Sequence, residues 1–371
     1  MRNPFLYGKV VEGDDFCQRH DAQKRLEDNI RRGQNTYIVG ERRIGKTSLI
    51  EFVCNKIKND FLEIFIDLRM LESMEDLEKR ILVATVRAES TVSDFRKVLT
   101  LFTSYKPTLS LDAISGESTF GFRNIEKSSI EDIETLFDHI EALNSRKKVI
   151  VVFDEFQDIS RLKNSKTILA KMRSKIQKHS LCYIFCGSIK DEIQQIFNDP
   201  SEAMYNSAEP IRLDSIDKVS FNSFLTLKFK EGRSSISSEV LDKIYEITEN
   251  ITGDTQQLCS ALWEVSKRGE PILSDMIAPA LDHIVTIRAE DFERVVDNLT
   301  ALQMKILKAL AKDKKAKIQS QNFMEEVGHR NFTAVSKAVA QLKKRNLIYL
   351  YRKEYKFYSP FLREWLKTKI S

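Results

Sequence analysis

The sequence predicts an α/β chain: an open parallel sheet with a glycine-rich loop after its first strand, then a helical lid, then a small basic winged-helix domain. Three observations carry that prediction. Gly40-Glu41-Arg42-Arg43-Ile44-Gly45-Lys46-Thr47 meets the pattern G-x-x-x-x-G-K-[ST] at every fixed position. Val149-Ile150-Val151-Val152-Phe153 is an unbroken apolar run that ends on the carboxylate pair Asp154-Glu155. From Thr300 to Ser371 there are 17 Lys and Arg against 5 Asp and Glu, a local net charge of +12 in a chain whose formal total is +5.

At 371 residues the chain exceeds one small domain, and with 42% apolar residues it can bury more than one core. The boundaries fall at 1–213 for the sheet domain, 214–295 for the lid and 296–371 for the winged helix. Five cysteines (Cys17, Cys54, Cys182, Cys186 and Cys259) show no C-x-x-C spacing, an odd and scattered set suited to a reducing compartment. No apolar leader follows Met1 and no run reaches the length of a membrane span. The expectation is a soluble, cytoplasmic chain with no membrane partner. No repeat or low-complexity tract is visible.

Asn3 to Phe16 mixes Pro4, Gly8 and Gly13 with Phe5, Tyr7, Val10, Val11 and Phe16, the composition of an ordered loop. Leu26 and Ile30, four apart among charges, predict a surface helix over Asp21 to Arg32. Thr36-Tyr37-Ile38-Val39 reads as a short buried strand and Ser48 to Val53 as a helix, which is the setting the glycine loop requires. There, Gly40 and Gly45 let successive backbone N–H groups and the positive helix end face a phosphate chain. Lys46 then reaches the terminal phosphates and the Thr47 hydroxyl ligates magnesium, with Glu41, Arg42, Arg43, Ile44 and Ser48 completing the cradle. The expected fold is a P-loop NTPase sheet, and the expected ligands are ATP or ADP with Mg2+.

Phe61 to Asp67 gives a second strand whose carboxylate lies where ligands gather in open α/β sheets, and a helix follows from Ser73. Residues 107–123 alternate around Ser115-Gly116 as an inserted hairpin, either a projection that meets a partner or a plain edge hairpin. The run ending in Asp154-Glu155 is a strand buried on both faces. Asp154 would hold magnesium through water, and Glu155 would polarise the water that attacks the γ-phosphate. Leu181 to Cys186 is the next strand, closing on Gly187-Ser188. Ser188 suits a γ-phosphate sensor and equally a helix N-cap, and one serine can serve as both.

Asp217 to Lys267 is helical, with the stripes Val240-Ile244-Ile247 and Leu258-Leu262-Val265 forming a lid core. The tail gives helices over Thr300 to Leu310, Ser320 to Val327 and Asn331 to Arg345. A hairpin follows, Leu347 to Tyr351 and Tyr355 to Tyr358 around Arg352-Lys353-Glu354. Its third helix would offer Thr333, Ser336, Lys337, Gln341 and Lys344 to DNA, with Arg352 and Lys353 on the wing. The alternative is packing against the sheet domain or a protein partner, with solvated lysines.

Together, Asn3-Pro4-Phe5, Phe16-Cys17-Gln18-Arg19-His20, Arg42-Arg43-Ile44-Gly45-Lys46-Thr47-Ser48-Leu49, Phe153-Asp154-Glu155-Phe156-Gln157 and Phe185-Cys186-Gly187-Ser188 resemble the archaeal-type P-loop ATPases of the MNS clade, grouped with STAND and AAA+ ATPases. The resemblance runs from the first residues to the C-terminal domain. It implies an AAA+-like sheet, and a segment before the first strand that folds over the adenine and adds Phe16 and Arg19 to the nucleotide contacts; the alternative is that Phe16 and its neighbours only pack the sheet edge. Two departures stand out: Glu41 replaces a frequent proline, and Thr252-Gly253-Asp254-Thr255-Gln256-Gln257-Leu258 resembles a second-sensor helix with glutamine in the place of its arginine. Glutamine brings no fixed charge to a transition state. Slow or partner-dependent hydrolysis follows, suited to a switch. For an arginine finger the alternatives are Arg212, Arg42 and Arg43. Two function classes result: a nucleotide-driven switch that repositions the winged helix to recruit a protein partner, with possible nucleotide-dependent homo-oligomers, or a DNA-binding AAA+ ATPase in replication, transposition or genome defence.

Overall fold

The computed structural model describes residues 3–89, 105–111, 118–124, 130–187, 190–267, 269–351 and 354–369. The chain forms two compact units: Val10–Asp214, and a second that joins Met1–Lys9 to Ser215–Ser371.

The first unit begins with α1 (His20–Arg32), β1 (Thr36–Gly40), α2 (Lys46–Ile57), β2 (Phe61–Asp67) and α3 (Met74–Glu89). The hairpin strands β3 (Tyr105–Leu111) and β4 (Ser118–Asn124) pair antiparallel as a separate two-stranded sheet, with their turn outside the described residues. Then come α4 (Ile130–Leu143), β5 (Lys148–Asp154), α5 (Ser165–Ile176), β6 (Cys182–Gly187), α6 (Lys190–Asn198) and β7 (Glu209–Leu213). The main sheet has the order β2-β5-β6-β1-β7, and every pairing in it is parallel. Its central strands β1 and β6 are buried at every residue and β5 at all but its first, as strands covered on both faces must be, while the edge strands β2 and β7 are only partly covered.

Because all five strands run one way, Gly40, Asp67, Asp154, Gly187 and Leu213 end along the same edge. Alternation sends Tyr37, Phe153, Tyr183 and Phe185 to one face, where they meet Phe137, Phe156 and Phe197. The rings pack in contact, Phe156–Phe185 at 4.6 Å and Tyr37–Phe197 at 4.7 Å between centroids. This layer makes the strand ends a rigid platform.

The second unit holds α7 (Lys218–Glu231), β8 (Ser235–Ile236), α8 (Ser238–Thr248), α9 (Thr252–Val265), β9 (Pro271–Ile272), α10 (Ile277–Ile287) and α11 (Ala289–Asp297), with β8 and β9 paired parallel. The N-terminal residues belong to it: Asn3 Nδ2 donates to Ser260 Oγ at 2.8 Å, and Phe5 packs on Phe229 at 4.5 Å. Next come α12 (Ala301–Lys312), α13 (Gln321–Glu326), α14 (Phe332–Lys344), the antiparallel strands β10 (Ile348–Tyr351) and β11 (Glu354–Phe357), and α15 (Pro360–Thr368). Each tail helix starts where its cap residue sits: Thr300 and Gln303 form a capping box, Ser320 accepts from Phe323 N, and Asn331 from Ala334 N. The sequence reading delimited neither α4 and α5 nor α15, and it left α10 and α11 undivided at the end of the lid. For α15 the signal was present, since Ser359 caps, Pro360 occupies the first turn, and Phe361, Leu362, Trp365 and Leu366 share one face. Glu249, in a left-handed backbone at φ 55°, takes Arg363 at 2.9 Å and Lys356 at 3.1 Å, which fastens α15 and β11 to the end of α8. No helix among the described residues is long and apolar enough to cross a membrane.

Candidate nucleotide site

The loop between β1 and α2 takes its shape from two neighbours. A Cβ on Gly40 would stand 2.6 Å from Leu213 O, so β7 runs against the loop where only glycine fits. Gly45 turns at φ 100° into the first residue of α2, and beyond its chain neighbours no atom of the described residues lies within 4 Å of where a side chain would project. Open space at a helix N-terminus is what an anion requires. Arg43 is left-handed as well, at φ 62°. Ile44 is buried, Glu41 and Arg43 are half-buried, and Arg42 is exposed.

Lys46 is 7% exposed, and its ammonium donates to the loop's own carbonyls, Gly40 O at 3.1 Å and Glu41 O at 2.8 Å. Burial lowers its pKa, opposed by Cys186, Glu155 and Asp154. The Thr47 hydroxyl donates to Asp154 Oδ2 at 3.1 Å, joining the loop to the end of β5 across the sheet. Burial and the neighbouring Glu155 raise the Asp154 pKa, while the Cys186 thiol, Thr47 and the Glu155 N–H hold it down by hydrogen bonds. Hydroxyl and carboxylate oxygens side by side are the donor set of a hard cation, so Thr47 and Asp154 fit Mg2+. Glu155 adopts φ 52°, a left-handed turn that swings its side chain out of the strand direction, and Oε2 accepts from Gln157 Nε2 at 2.6 Å.

The remaining predicted site residues fall at varied distances from this centre. Ser48 is buried, and its Oγ accepts from Val11 N at 3.2 Å. Phe16 is 5% exposed and stacks on Phe52 of α2 at 4.7 Å, so one ring face is taken by packing. Arg19, half-buried, donates to Ile44 O at 2.6 Å and to Asp214 O, and desolvation lowers its pKa to about 10. It braces the loop instead of facing open space. Ser188, Arg352 and Lys353 lie outside the described residues. Gln256 and Gln257 are buried in α9. On α14, Thr333, Lys337, Gln341 and Lys344 are exposed and Ser336 is half-buried, on the side opposite the core residues Val335, Val339 and Leu342. Sequence reasoning passed over Cys186 and Gln157, which join Thr47 in touching the carboxylate pair. The visible signal was a polar residue and a thiol placed among apolar strand ends.

Residues 16–258 match a family described as an ATPase domain predominantly from Archaea. The chain belongs to that family. Residues 290–368 match a second family, described as a probable winged helix domain. The archaeal-type ATPase also shares its fold with a Walker-type ATPase of Pyrococcus abyssi, at TM-score 0.67 and 20% identity over 99% of this chain and 100% of that one. It is similar to the ORC1 protein of Aeropyrum pernix, whose structure is in complex with DNA, at TM-score 0.52 and 12% identity over 96% and 94% of the two chains. No curated protein matches it. Family membership makes the whole a nucleotide-binding P-loop ATPase with a C-terminal winged helix.

Proposed function

We propose that this archaeal-type ATPase binds ATP with magnesium, hydrolyses it slowly, and acts as a nucleotide-driven switch read out through the unit that carries the winged helix. The observation that carries the reading is the convergence at one sheet edge of Lys46, the Thr47–Asp154 pair and Glu155. When bound, magnesium neutralises phosphate charge and orients the β- and γ-phosphates. Lys46 would donate to phosphate oxygens, Thr47 and Asp154 would hold the cation, and Glu155 would take a proton from the attacking water. Buried Gln256 and Gln257 bring no cation to this reaction, which supports slow turnover. Glu155→Gln is expected to keep ATP affinity and to lower single-turnover hydrolysis at least about a hundredfold. An unchanged rate would remove Glu155 from the mechanism.

A second reading, contact with duplex DNA, is favoured by the exposed α14 face with Lys337 and Lys344 in a region of net charge +12. The DNA complex of the Aeropyrum protein is consistent with it. Binding to duplex that weakens as salt rises supports this reading, and no binding at low salt rejects it.

A further inference from the structure

We infer that Gln157 is the positioning residue for Glu155: its side-chain amide fixes the direction of the carboxylate that activates water. The inference rests on the hydrolytic reading above and assigns a role that the loop, metal and base residues do not fill.

Glu155 needs such support. Its backbone is left-handed, and three side-chain torsions separate that backbone from the carboxylate, so packing alone leaves the oxygens several settings. Gln157 Nε2 narrows them with a charge-assisted bond of 2.6 Å to Oε2. Gln157 itself is 2% exposed, in the 3-10 turn Phe156–Arg161 that follows β5. Its amide orientation is dictated by chemistry. The nitrogen faces two carboxylates, Glu155 and, at 3.4 Å, Asp158 Oδ1, and an oxygen in that place would meet only like charge.

The other end of the amide is held by shape. Gln157 Oε1 presses on the end of β6, where a Cβ on Gly187 would collide with it. That oxygen is buried and has no hydrogen-bond partner among the described residues. The support is anchored further out. Asp158, 4% exposed, accepts from Met70 N at 2.8 Å and pairs with Arg161 at 3.3 Å. A string of polar contacts therefore runs from the loop after β2 through Asp158 and Gln157 to Glu155.

A residue that only orients the base leaves nucleotide binding alone and loses its effect when the base is gone. Gln157→Met keeps the length and removes the donor; it is expected to lower kcat about tenfold while the KM and the affinity for a fluorescent ATP analogue stay within twofold. In the Glu155→Gln background the same substitution is expected to change the residual single-turnover rate by less than twofold. Retained nucleotide affinity reports that the variant folds, and Gln157→Asn, which keeps an amide but withdraws it, serves the same comparison if Gln157→Met does not. A full rate in Gln157→Met, or an equal loss with and without Glu155, overturns the inference. A parent chain that binds ATP and never turns it over overturns the hydrolytic reading, and this inference with it.

Discussion

Lys46 donates to two carbonyls of its own loop, a clasp that fixes its ammonium at the start of α2. Lys46→Ala removes both that clasp and a charge-assisted bond to phosphate of about 3 kcal/mol, so ATP affinity measured by titration is expected to drop about a hundredfold or more. A second charge, Glu63 on β2, behaves oppositely. Burial first, then Glu51, pushes its pKa from 4.5 up to about 7, and its Oε1 has no partner among the described residues. With the folded pKa above the unfolded one, Glu63 stabilises the fold below about pH 4.5, and that contribution is lost as pH rises through about 7. Glu63→Gln is therefore expected to melt a few degrees above the parent at pH 8 and at the same temperature near pH 5. An equal gap at both pH values would take Glu63 out of the titration.

Among the elements, those whose identity rests on local chemistry were readable in the sequence. The caps Thr300, Ser320 and Asn331, the buried runs of β1, β5 and β6, and the glycine loop all announce themselves within a few residues. Strand order was not readable, because nothing in β7 says that it flanks β1 rather than closing the far edge. The placement of Gln157 beside Glu155 depends on a left-handed residue and a 3-10 turn, which leave no periodic trace. Phe16 and Arg19 show the same limit, since an aromatic and a cation before a strand look alike whether they meet a ligand or brace a loop. The exposed face of α14 was legible from spacing alone, and under the DNA reading it yields an element-scale prediction. Lys337→Glu with Lys344→Glu is expected to weaken duplex binding at least about tenfold and to flatten its slope against salt by about two ions. Unchanged binding in filter or anisotropy assays would move the contact elsewhere.

Across the whole molecule the winged helix and the lid helices form one compact unit, and one acidic residue ties helices of the two together. The half-buried Glu249 sits between Arg363 and Lys356, and Arg363 reaches on to Ile247 O at 3.1 Å. Removing Glu249 leaves two cations short of their partner. Glu249→Ala is expected to cost about 3 kcal/mol, seen as an earlier unfolding transition of this unit in calorimetry, with nucleotide affinity at the β1–α2 loop retained. A single unshifted transition would show that apolar packing around Trp365 and Phe292 suffices.

The narrow gap between Gly40 and Leu213 bears on how the chain can be divided. β7 is the last strand before the chain leaves for the second unit, and it is also the neighbour that fixes the β1 end from which the loop springs. A fragment that stops at Ala208 discards the flank of its own nucleotide loop, whereas one that runs through Asp214 also keeps the carbonyl that Arg19 grips. The boundary of the smallest nucleotide-binding piece is therefore set by a strand that contributes no residue to the loop's motif.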